Sequence, residues 1–145
     1  MTPAERHLRA WMMISVLLYA GGGIVFLFFP HTLLQVLDSF AGPLHLATVL
    51  PGALAAERFW NILAFAMAVT ITTASLMVVR DPVGKKDFCI PVLFSKTASW
   101  LSALVYFALI SRAFAHLVIF LVDFPLFILT AIFYARAINK AGAAS

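Results

Sequence analysis

The stretch Ile90–Ile110, IPVLFSKTASWLSALVYFALI, is apolar nearly end to end but carries Lys96 about two turns inside it. At ~20 residues it matches the length a helix needs to cross a ~30 Å hydrocarbon core at ~1.5 Å per residue. Three further runs of similar length accompany it: Ala10–Phe29, Arg58–Val79 and Leu117–Ala135. None shows the alternation of a barrel strand, and in lipid only helices and closed barrels satisfy their own backbone polar groups. The pattern predicts an all-α integral membrane protein, a four-transmembrane-helix bundle forming a single membrane domain over residues 1–145.

Composition agrees. Of 145 residues, 63% are hydrophobic and only 11% charged, against roughly 45–50% and 25% in soluble domains. Mean hydropathy is +1.02. Cys89 is the single cysteine, which excludes an intramolecular disulfide and a dithiol centre. The first run follows Arg6, His7 and Arg9, as a signal peptide would, but it exceeds the ~7–15 apolar residues of a signal core and reads as a retained helix.

The net charge of +4 has a topological explanation. With four crossings, the N-terminus, loop 80–89 and the C-terminal tail share one side. That side holds Arg6, Arg9, Arg80, Lys85, Lys86, Arg136 and Lys140, seven in all, against Arg58 and Arg112 on the other. The positive-inside rule then places both termini in the cytoplasm, with the protein in a bacterial inner membrane. Anionic lipid headgroups are the partners this basic excess implies, and nucleic acid is not needed to account for it.

The outer loop, 30–57, contains HTLLQVLDSF between Pro30 and Pro43. Leu33, Leu34, Val36, Leu37 and Phe40 recur at near-helical spacing, which predicts a short amphipathic helix lying in the interface.

Acyl tails are as apolar as leucine, so small residues and interhelical hydrogen bonds must hold such helices together. Each span offers one polar or small stripe at gaps of three, four or seven. These are Ser15, Tyr19, Gly22 and Phe26; Glu57, Asn61, Ala64, Ala68, Thr72 and Ser75; Ser95, Ser99, Ser102 and Tyr106; and His116, Asp123, Thr130 and Tyr134. A bundle with these stripes inward has a polar seam. The seam serves packing, or it forms a cavity for a lipid, quinone or small apolar metabolite. Gly21-Gly22-Gly23 permits close helix approach or a kink.

Lys96 has two readings. Its stem snorkels back to the headgroups, or it is an interior cation marking a site, with Trp100 one turn on for a cation–π contact. Asp123 is the other deep charge, beside Pro125, which leaves the carbonyl of Leu121 without its donor. Asn61, Tyr19 or a serine are its expected partners. A direct Lys96–Asp123 pair is not expected, because the depths counted from the span ends differ by roughly 8–10 Å. Glu57 and Arg58 open the second span, where Glu57 suits the positive end of the helix dipole. Lys96, Trp100, Asp123, Asn61, Glu57 and Arg58 are thus the candidate ligand-binding residues. His31, His45 and His116, with Asp38 and Glu57 as companions, are weak metal candidates without ligand-like spacing. No nucleophile–base arrangement, phosphate loop or dinucleotide fingerprint occurs, so no catalytic class is indicated.

The segment Tyr19 to about Thr70 resembles the DoxX-like group of small four-helix membrane proteins. The carrying residues are YAGGGIVFLFFPHTLLQVL and AAERFWNILAFAMA, with an acid–arginine pair opening the second span; a glycine expected shortly after the arginine is absent, and Asn61 is nearby instead. The resemblance implies a four-helix bundle and an accessory place in quinone-linked membrane assemblies. The expected function is therefore a small non-catalytic subunit packing against other integral membrane subunits. The alternatives are a quinone- or lipid-binding component of a membrane oxidoreductase, with no cofactor of its own beyond bound quinone or lipid, and a small proton-coupled transporter. The transporter reading lacks an acid in the first helix.

Overall fold

A computed structural model describes residues 1–46, 48 and 54–142, and their side chains except those of 54–60 and 140–142. Among these residues five α-helices account for the architecture: α1 (Pro3–Phe28), α2 (Pro30–Ala41), α3 (Leu54–Arg80), α4 (Cys89–Leu109) and α5 (Phe114–Gly142). Four of them, all but α2, are long and apolar enough to span a membrane. The chain is an all-α, four-transmembrane-helix bundle.

Helix α1 starts well before its apolar run because Thr2-Pro3-Ala4-Glu5 forms a capping box. Thr2 accepts from the Glu5 N–H, the Glu5 carboxylate accepts from the Thr2 N–H, and Pro3 occupies the first helical position. Pro30 then opens α2, which turns Leu33, Leu34 and Leu37 partly inward against α1 and α5. This is the short helix predicted within the outer loop, although Val36 and Phe40 of its predicted apolar set face outward.

After α3 the chain turns through Asp81-Pro82-Val83-Gly84. The Gly84 N–H donates to Asp81 Oδ1 at 2.8 Å, and a Cβ at Gly84 would lie 2.6 Å from Asp81 Oδ2. A side chain at this position would have to displace the Asp81 carboxylate from its bond to the Gly84 N–H. A short 3-10 turn, Lys86–Phe88, leads into α4. The α4–α5 connection is tight, with the N–H groups of Ile110 and Ser111 both returning to the Tyr106 carbonyl.

The helices alternate in direction and close a ring. α1 packs most extensively on α3, α4 on α5, then α1 on α5, with α3 and α4 the most loosely joined. On α1 the buried line is Leu8, Met12, Ser15, Tyr19 and Gly23. At Gly23 a Cβ would come within 3.0 Å of the Ala68 Cβ, whereas Gly21 and Gly22 have open space. The packing glycine is therefore the third of the run, one position on from the stripe read in the sequence.

The outer surface is far more apolar than that of a water-soluble protein, and polar side chains share the interior. Leu17, Phe28, Phe94 and Leu109 are exposed, while Ser15, Ser75 and Thr130 are fully buried. Such large contiguous apolar exposure is costly in water and costs nothing in acyl chains. The apolar core, which includes Leu8, Met12, Val78, Cys89, Val92 and Ala137, occupies the half of the bundle that carries the termini. A polar layer lies next to it.

Candidate functional site

The polar layer is built around Lys96. On α4 the buried residues are Cys89, Val92, Lys96 and Ala103, with Ser99 half-buried on the same line. This corrects the stripe read from serines and a tyrosine, because Ser102 and Tyr106 of that stripe are exposed. The inward face of α4 is the face of the charge.

Lys96 Nζ donates to Asp123 Oδ1 at 2.7 Å, forming an ion pair that is about nine-tenths buried on both sides. Ser99 Oγ donates to the other carboxylate oxygen, Oδ2. The ammonium also sits 4.6 Å from the centroid of the Tyr19 ring. One cation therefore ties α4 to its neighbour α5 and, across the diagonal, to α1. One of the two readings of Lys96, and one expectation about its partner, are overturned here. Lys96 does not snorkel to the headgroups, and it does pair directly with Asp123.

Helix register explains the second correction. Both helices are pinned by the short turn after Leu109. From that end Ser99 lies about 15 Å down α4, and Asp123 about 14 Å down α5, at ~1.5 Å per residue. Ser99 and Asp123 are therefore level. Lys96 lies one turn below them, within reach of its long stem. Measuring depth from the ends of apolar runs hid this, because those ends are not where the helices stop.

Trp100 takes a different role from the one read in the sequence. The aromatic face under the ammonium is Tyr19, and Trp100 instead packs among Phe120, Phe124 and Phe127 of α5, with ring centroids 5.3–6.3 Å away. Its indole nitrogen, the Tyr19 hydroxyl and Ser75 Oγ are buried without a hydrogen-bond partner among the described residues. Tyr19 is the central residue that no charge-based reading selected, although it was named as a possible partner of Asp123. Its membership of the α1 stripe was the available signal.

A second polar contact joins α1 to α5. The Trp11 indole N–H donates to Thr130 Oγ1 at 2.9 Å, and the Thr130 hydroxyl donates to the Leu126 carbonyl at 2.7 Å. Near the same end, the Tyr134 hydroxyl donates to Asp87 at 3.0 Å, linking α5 to the turn before α4.

Among the described residues the other candidates do not converge on Lys96. Asn61 is half-buried on α3. Glu57 and Arg58 fall near the start of α3, and their side chains lie outside the described residues. His31 Nε2 lies 3.0 Å from the Gln35 amide nitrogen, and His116 Nδ1 lies 3.3 Å from the Ser111 carbonyl. His45 closes the turn after α2 with a φ of 53°. Among the described residues no group of three His, Cys, Asp or Glu side chains forms a metal-binding set.

The arrangement thus defines an integral membrane helical bundle with a paired charge at its centre. No protein-family model, no curated protein and no solved structure matches the chain.

Proposed function

We propose that the chain is a small non-catalytic subunit that packs against other integral membrane subunits of a larger, quinone-linked assembly in a bacterial inner membrane, with both termini cytoplasmic. The groove between α3 and α4 supports this reading most. Ala66, Thr70 and Ala74 stand one turn apart on α3, facing Pro91 and Ser95 of α4 around a space of about 240 Å³. Small residues at four-residue spacing allow the backbone of another membrane helix to approach closely. The central charge, by contrast, is answered by residues of the chain itself. The quinone link rests on the DoxX-like resemblance, and the orientation rests on the seven-to-two distribution of basic residues.

Extraction of native membranes in a gentle detergent tests the proposal, with native gels of the wild-type chain and of Thr70→Trp. The wild type should migrate in a large complex, and the filled groove should release it as a small species that is still folded. A wild-type chain that migrates as a monomer or dimer overturns the proposal.

A second reading, a quinone- or lipid-binding component of an oxidoreductase, is supported by the unpartnered buried Tyr19, Ser75 and Trp100 atoms. Buried polar atoms ordinarily find partners. Quinone that co-purifies with the wild type and is lost in Trp100→Phe would favour it.

A further inference from the structure

The end of the bundle that carries both termini holds a second cleft, independent of the groove above. It lies between the first turns of α1 and the last turns of α5 and measures about 380 Å³, within the ~300–1,000 Å³ usual for ligand sites. His7 wall one side, and Arg136 and Asn139 the other, with Phe133 below and Pro3 and Ala4 completing the rim.

We propose that this cleft seats the phosphate headgroup of an anionic phospholipid. The depth of the cleft is the first argument. Trp11 lies one turn deeper than His7 on α1, packs on Phe133 at 5.8 Å between centroids and gives its N–H to Thr130. Trp11 stands at the start of the first apolar run and is only partly buried, the position of the interfacial aromatic belt. The cleft therefore opens at the membrane surface and has an aromatic floor on its hydrocarbon side.

Charge is the second argument. Arg136 is exposed and forms no ion pair among the described residues. The nearby carboxylate on α1 is Glu5, which is buried and accepts the Thr2 N–H within the capping box. Arg136 and the His7 ring thus present donors that the protein leaves available, and Asn139 adds an amide. A phosphodiester accepts from arginine through paired oxygens. Arg6 and Arg9, both exposed on the same helix, add to the attraction. A lipid with its phosphate here would lay an acyl chain along Phe133.

The purified full chain in mild detergent tests this, with binding read by native mass spectrometry and by the lipid-dependent rise in melting temperature. Phosphatidylglycerol should bind more tightly than phosphatidylcholine. Arg136→Gln should weaken phosphatidylglycerol binding about fivefold, the ~1 kcal/mol that one basic residue contributes near an anionic surface. Arg136→Lys should keep most of the affinity, and Arg112→Gln, at the opposite end of the bundle, should keep all of it. Each variant should melt like the wild type without lipid, since both arginines are exposed. Equal binding of the two lipids, or equal loss in Arg112→Gln and Arg136→Gln, overturns the proposal. An Arg136-dependent stabilisation by inorganic phosphate alone would assign the cleft to soluble phosphate and overturn it too.

Discussion

Lys96 and Asp123 hold each other at 2.7 Å inside a bundle that exposes large apolar side chains along all four spans. A charge at membrane depth is expensive, and it persists where it faces the interior and finds a partner. Both conditions are met here, and the second carboxylate oxygen and the free face of the ammonium are answered by Ser99 and Tyr19. The pair joins α4 to α5 midway along the bundle, beside the apolar core of the terminal half. It acts as a register lock for that helical hairpin.

Tyr19 should matter through its ring and not through its hydroxyl. The ring lies under the ammonium, whereas the hydroxyl meets the geometry of a hydrogen bond with no group among the described residues. Tyr19→Phe should change thermal stability in detergent by less than about 0.5 kcal/mol, and Tyr19→Leu should cost about 1–2 kcal/mol for a desolvated cation–π contact. Calorimetric or fluorescence melting of the two variants checks the order. A Phe variant as damaged as the Leu variant would locate the effect in the hydroxyl.

The three consecutive glycines should separate sharply on substitution. Gly23→Ala pushes a methyl to 3.0 Å from Ala68 and must part α1 from α3, since both atoms are carried on helix backbones. A loss on the order of 1–3 kcal/mol is expected for overpacking of this kind. Gly21→Ala meets open space and should be neutral or stabilising by up to about 1 kcal/mol. Melting temperatures of the two alanine variants read the contrast directly.

The Trp11–Thr130 hydrogen bond predicts a matched pair of effects. Thr130→Val removes the acceptor of the indole N–H at a fully buried position on α5, Trp11 itself being partly buried, at a cost of about 1–3 kcal/mol for an unsatisfied donor. Trp11→Phe removes the donor itself, so adding Thr130→Val to it should cost less than the same change in the wild type. Equal costs in the two backgrounds would show that the contact carries no coupling.

How much of this was legible beforehand follows physical lines. The four spans and the short loop helix were readable because lipid demands long apolar runs and tolerates little else. Their ends were less readable, since an apolar run marks where hydrocarbon lies and not where hydrogen bonding stops. α1 begins at the Thr2 capping box and α5 continues to Gly142. The inward face of α4 was misread for a related reason. A hydroxyl can satisfy itself on its own helix, as Thr97 does on the Leu93 carbonyl and Thr70 on Ala66, so serines and threonines face lipid at little cost. A lysine side chain has no such option, and Lys96 marked the true face. The pairing with Asp123 was also recoverable, by counting both helices from the short turn between them. Which of three adjacent glycines packs was not recoverable, because it depends on helix rotation within one turn.

The central claim is that Lys96 and Asp123 are each other's partner in the buried interior of the bundle, and a double-mutant cycle on thermal stability in detergent tests it most directly. Lys96→Met and Asp123→Leu should each cost about 3–5 kcal/mol, the usual result of stranding one member of a buried pair. The double variant should recover most of that loss, giving a coupling of at least about 2 kcal/mol. If the two losses simply add, or if Lys96→Met is silent, the two residues do not sustain each other and the account fails.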